Sequence, residues 1–156
     1  MSFLRLSHIG ICVSDLERSL GFYRDLLGFE PCARAQYSGA PVDRLLGVSG
    51  TKLRVEWLER DGTRLELLHF EQPAHVGAGA PRAMNALGLT HISLRVDDLN
   101  ATVQQLVQAG VRILTDTHFE NPEHGAAAVF ALDPDGTRIE LVQMPGEPSL
   151  LPGQGR

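Results

Sequence analysis

Apolar and polar positions alternate over residues 4–13 and again over 89–96, a period of two that predicts a β-strand opening each half of the chain. After each strand the period lengthens. Leu16, Leu20, Tyr23 and Leu27 recur at helical spacing, with Ser14 and Glu17 as an S-x-x-E capping box ahead of them and Gly28 as the stop. In the second half Asp97 or Asp98 caps, Leu99, Val103, Leu106 and Val107 form the stripe, and Gly110 ends it. Three more strands follow each helix, over 29–36, 51–58 and 63–70, then over 111–115, 126–132 and 137–143.

Two phrases recur. DGTRLELL at 61–68 returns as DGTRIELV at 135–142, and LSHIGICVSDL at 6–16 returns as LTHISLRVDDL at 89–99. The chain therefore says β-α-β-β-β twice, with a longer middle or exit in the first copy. The Asp-Gly dipeptides predict tight turns between the last two strands of each copy. The expected organisation is a first βαβββ module over 1–70, a linker over 71–88 containing Pro73, Gly77, Gly79 and Pro81, a second module over 89–144, and a Pro/Gly-rich flexible tail over 145–156. The fold class is α+β: two paired βαβββ modules forming a curved mixed sheet around a central cleft, helices outside. The stretch 36–50 reads as a mobile loop able to cover such a cleft.

Polar residues interrupt these strands at matching places. His8 interrupts the first strand of the first module and His91 holds the matching position in the second, and Glu66 and Glu140 sit in each last strand. Leu65 and Leu67 flank Glu66, and Ile139 and Leu141 flank Glu140, so each glutamate faces away from the apolar side. A carboxylate on the inner face of a sheet is costly unless paired or ligated. Two imidazoles and two carboxylates suit one borderline divalent ion, Ni, Co, Fe, Mn or Zn, and need no thiolate.

Composition narrows the partners. The formal charge of −5 comes without a basic run, which excludes a nucleic-acid footprint. No apolar run approaches the roughly 20 residues that span a bilayer, and MSFLRLSHIG lacks a signal peptide's apolar region, so a cytoplasmic location is expected. Cys12 and Cys32 are expected as small buried residues. Arg34, Arg44, Arg54, Arg64 and Arg82 are candidate anchors for an anionic substrate group, with a solvated surface role as the simpler reading; no substrate-binding residue is assigned.

HIGICVSDLERSLGFYRDLLGFE, LGLTHISLRVDDL and DPDGTRIELVQ resemble the vicinal oxygen chelate superfamily of glyoxalase I, methylmalonyl-CoA epimerase, extradiol dioxygenases, and fosfomycin- and bleomycin-resistance proteins. The resemblance covers residues 4–143 and implies metal ligands at His8, Glu66, His91 and Glu140. The His, Glu, His, Glu set is similar to the glyoxalase I type, whereas the epimerase type commonly has Gln at the position of Glu66. The implied activity is that of a metal-dependent lyase or isomerase, abstracting a proton through a metal-bound enediolate or enolate. Glu140 is the first candidate for the base and Glu66 the second. Alternatives are an epimerase, an Fe(II) dioxygenase using His8, His91 and Glu140 with His69 or His124 nearby, and a small-molecule (antibiotic) binding protein. The glutathione anchors of glyoxalase I have no recognisable counterpart. No role is assigned to His118. The expected partners are a small-molecule substrate and a second copy of the chain, as a homodimer.

Overall fold

The computed structural model describes residues 2–77 and 79–149, and the chain divides into two compact units, Met1–Ala78 and Gly79–Arg156. Each unit carries one four-stranded mixed sheet. In the first, the chain runs β1 (Ile9–Cys12), α1 (Leu16–Leu20), β2 (Glu30–Ser38), α2 (Ala40–Leu46), β3 (Lys52–Arg60) and β4 (Thr63–Gln72). The sheet order is β1-β4-β3-β2, with β1 parallel to β4 and the other pairs antiparallel. The second unit repeats it with β5 (His91–Arg95), α3 (Leu99–Gln108), β6 (Arg112–Asn121), β7 (Ala126–Leu132) and β8 (Arg138–Gln143), ordered β5-β8-β7-β6.

Alternation builds the core of each unit. Leu65 and Leu67 of β4 and Leu58 of β3 are essentially fully buried on the side where α1 packs. Ile139 and Leu141 of β8 do the same with Val129 and Ala131 of β7, beside α3. Glu66 and Glu140, one residue out of phase with these leucines and isoleucine, are only partly buried on the opposite face.

Several local expectations are corrected. β1 begins at Ile9, shorter than the alternating 4–13 pattern, because it pairs only with Leu65 to Leu68 of β4. The first helix is capped by Asp15, whose extended backbone lets its carboxylate accept the Arg18 N–H at 3.0 Å; Ser14 instead accepts from the Arg18 guanidinium. After one α-helical stretch the chain widens into a π-helix over Gly21–Leu26 before Gly28 (φ 71°) ends it. Asp98 caps α3, accepting from Ala101 N.

The stretch 36–50 is ordered: β2 runs to Ser38, and α2 follows with Pro41 in its first turn and Gly47 as a left-handed cap. Asp43 fastens its exit by accepting the Gly50 and Thr51 N–H groups, both at 2.8 Å. Cys12 and Cys32 are exposed thiols outside any disulfide rather than buried residues, because β1 alternation puts Cys12 on the face of His8 and a register shift in edge strand β2 turns Cys32 outward.

The two Asp-Gly turns differ. Asp61 and Gly62 both have positive φ, 52° and 75°, as a two-residue hairpin requires. The second turn is longer, organised by buried Asp133, which accepts from Asp135 N and Thr137 N. Of the predicted tail, residues 150–156 lie outside the described residues; its start is held by Arg95, which donates to the carbonyls of Met144, Pro145, Gly146 and Glu147.

Candidate functional site

Parallel pairing in the first unit sets Gly10 opposite Glu66, and in the second Ser93 opposite Glu140. The histidine two residues earlier then reaches the same carboxylate. His8 Nε2 lies 3.2 Å from Glu66 Oε2, and His91 Nε2 lies 3.6 Å from Glu140 Oε2. Each unit thus assembles one His–Glu pair on the face opposite its helix.

The other ring nitrogen is also engaged in both copies. His8 Nδ1 is 3.0 Å from Ser7 Oγ, and His91 Nδ1 is 2.9 Å from Thr90 Oγ1. A hydroxyl on Nδ1 fixes the ring plane and turns Nε2 toward the carboxylate. An imidazole held this way, with its second nitrogen hydrogen-bonded, is the arrangement metal-ligating histidines commonly show. Phe130 adds an edge contact to the His91 ring, with centroids 5.4 Å apart. These phrases, LSHI and LTHI, carry the hydroxyl in the repeat itself, so the signal for Ser7 and Thr90 lay in the sequence beside the histidines.

Each half-site offers one oriented imidazole and one partly buried carboxylate, donor types that suit a borderline divalent ion. Among the described residues no group of three or more His, Cys, Asp or Glu is gathered within reach of a single ion, so each unit by itself supplies one imidazole and one carboxylate.

A cleft of about 570 Å³ lies beside Glu140 in the second unit. Ser93 and Glu140 form one part of its wall, Ala126, Ala128 and Val142 an apolar part, and Asn121 and His124 a polar part. His124, one of the two histidines named for the dioxygenase alternative, is therefore on this cleft. His69 is not on the face of Glu66: three residues along the strand, its Nδ1 meets the Val13 carbonyl at 3.3 Å. His118 pairs with Glu120 on the exposed part of β6, at 3.5 Å. Among the arginines, Arg64 bonds Glu59 at 2.6 Å, Arg54 lies 3.8 Å from Glu17, and Arg82 donates to the carbonyls of Leu87 and Leu89.

The profile of the Glyoxalase/Bleomycin resistance protein/Dioxygenase superfamily matches residues 5–141. The chain belongs to that superfamily. It is 33% identical over 141 residues to the human mitochondrial methylmalonyl-CoA epimerase, covering 89% of this chain and 73% of that one. Lactoylglutathione lyase of Neisseria meningitidis is 31% identical over 143 residues, 90% of this chain and 91% of the lyase. A glyoxalase family protein of Bacillus cereus has the same fold, with a TM-score of 0.80 at 20% identity over 94% of this chain and 97% of that one. Among the described residues of this superfamily member, no helix is long and apolar enough to cross a membrane.

Proposed function

We propose that this chain is a divalent-metal-dependent proton-transfer enzyme of the glyoxalase I type, acting at a carbon beside a carbonyl in a thiol-carried substrate. The observation that carries the reading is the duplicated His–Glu pair with a hydroxyl behind each imidazole. His8, Glu66, His91 and Glu140 would together hold one Ni, Co, Fe, Mn or Zn ion. When bound, the ion supplies Lewis acidity to a substrate oxygen.

The chain's own residues do the rest. Glu140 is the proton acceptor, with Glu66 second, because substrate space opens beside Glu140. The C–H bond breaks, the proton passes to a Glu140 carboxylate oxygen, and the electron pair delocalises into the neighbouring carbonyl. Return of the proton to the former carbonyl carbon, with the substrate's hydroxyl proton passing to the former carbonyl oxygen, isomerises the substrate; return to the same carbon epimerises it. No oxidant is consumed. Ala126, Ala128 and Val142 give the substrate's apolar portion an apolar wall.

The thiol-carried class rests on the relatives' names, since lactoylglutathione and methylmalonyl-CoA are both acyl groups on a thiol. Whole-chain similarity does not separate them, at 33% and 31% identity. Glutamate at position 66 as well as at 140 favours the lyase type. A homodimer is the assembly we propose, to be read as twice the chain mass by light scattering.

The test combines two measurements on wild type and Glu140→Gln. Elemental analysis should find about one divalent ion per chain in wild type and less in the variant. The hemithioacetal of glutathione and methylglyoxal should be converted by wild type, with solvent deuterium entering the product, and at least ~100-fold more slowly by Glu140→Gln. Epimerisation of methylmalonyl-CoA without conversion of the hemithioacetal would reassign the reaction. Oxygen consumption with a catechol, or neither ion nor turnover, would overturn the proposal.

A further inference from the structure

The two half-sites differ at one position. Two residues after the histidine, on the same face and opposite the glutamate, the first unit has Gly10 and the second has Ser93. Ser93 Oγ donates to Glu140 Oε2 at 2.6 Å. Gly10 offers no such donor; even a Cβ there would lie 3.7 Å from Glu66 Oε2 and 3.1 Å from the Leu68 Cδ1 methyl.

The Ser93 contact is a short hydroxyl–carboxylate bond, the stronger kind of hydrogen bond. Ser93 is exposed, so it adds nothing to core packing. Its bond and the His91 contact fall on the same oxygen, Oε2, which leaves Oε1 as the proton-accepting oxygen. Both residues also line the one side of the cleft where substrate would lie. Among the described residues, Glu66 is held on its own face by His8, 3.2 Å away. Glu140, the more exposed of the two at 28% against 15%, with the longer imidazole contact, is the one that gains a hydroxyl tether.

We infer that Ser93 is a positioning residue that fixes Glu140 by Oε2, so that Glu140 and not Glu66 takes the substrate proton. This rests on the functional reading above and deepens it by breaking the equivalence of the two glutamates. A tether of this kind beside a ligating or reacting carboxylate is worth about 10- to 100-fold.

The test uses the full chain as wild type, Ser93→Ala, Ser93→Thr, and the double variant Ser93→Ala/Gly10→Ser. Gly10 has ordinary negative φ, and its crowding neighbour is the end of the Leu68 side chain, so serine can be placed there. Two readouts are taken: affinity of the metal-free protein for Co²⁺ alone by calorimetric titration, and kcat and KM for the glutathione–methylglyoxal hemithioacetal. Ser93→Ala should lower Co²⁺ affinity about 10-fold and kcat about 10- to 100-fold, with KM within about twofold. Ser93→Thr, which keeps the hydroxyl, should recover both. The double variant, with the tether moved to Glu66, should recover Co²⁺ affinity but not kcat.

Wild-type kcat and Co²⁺ affinity in Ser93→Ala would overturn the inference and leave the functional reading standing. Recovery of kcat in the double variant would overturn the assignment of the proton to Glu140. A wild type that neither binds Co²⁺ nor turns over the hemithioacetal would overturn the functional reading, and this inference with it.

Discussion

Single residues carry loads that neighbours of the same type do not. Asp43 is half-buried, its carboxylate takes two backbone N–H groups, from Gly50 and Thr51, and these hold its pKa below the ordinary 3.8. A depressed carboxylate contributes stability that is present above the unfolded value and lost as pH falls through the folded one. Asp43→Asn should therefore lower the thermal midpoint at neutral pH, and its deficit relative to wild type should shrink below about pH 3.8. A deficit that stays constant as the pH is taken from neutral to well below that value would show that the charge is not what matters there. The sequence made this residue hard to single out, because its partners are backbone groups seven and eight residues on. The same limit explains the misplaced helix cap. Ser14 fitted a capping pattern, but the backbone turned at Asp15, and a stronger acceptor took the N–H.

At the scale of elements, alternation was readable wherever one strand face is buried. Strand β8 puts Ile139 and Leu141, 0% and 1% exposed, on one side and Glu140 on the other. The two kinds of position should separate experimentally. Ile139→Ala should destabilise the fold by about 2–5 kcal/mol in a denaturant titration, through lost transfer energy and a cavity. Glu140→Gln should leave the denaturation midpoint close to wild type while removing turnover. A strongly destabilised Glu140→Gln would instead make the His91–Glu140 pair a structural contact. What alternation could not show was the backbone between strands. The apolar stripe of the first helix is compatible with both α and π hydrogen bonding, and the wider bonds, such as Leu27 N–H to the Phe22 carbonyl, distinguish them. Helix α2 was hidden for another reason: it buries no residue and so leaves no stripe to find.

At the scale of the whole chain, duplication supplies an internal control. The repeat showed four candidate ligands and two similar sheets, but it could not show where the copies had diverged in use. Strand register does show it. Val55 pairs with Leu68, two residues beyond Glu66, as Ala128 pairs with Val142, two residues beyond Glu140. Two residues earlier on the same strands stand Leu53 and Ala126. The first copy fills these positions with side chains 4% and 1% exposed, Leu53 and Val55; the second leaves alanines, and the cleft beside Glu140 opens over them. Ala126→Leu/Ala128→Val would give the second copy the residues of the first, on a strand where an equivalent sheet already accepts them. The variant should fold with a thermal midpoint near wild type and keep Co²⁺ affinity, since neither residue is a candidate ligand. Substrate should bind at least ~10-fold more weakly, because each CH₂ group that a substrate can bury is worth roughly 0.8 kcal/mol, and the larger side chains take the place of several. Unchanged KM in a folded variant would move the substrate off this cleft and make the alanines a neutral divergence. A rise in KM with Co²⁺ affinity intact would instead show that the second copy has become the substrate-bearing one, while the His–Glu pairs remain a shared inheritance of both.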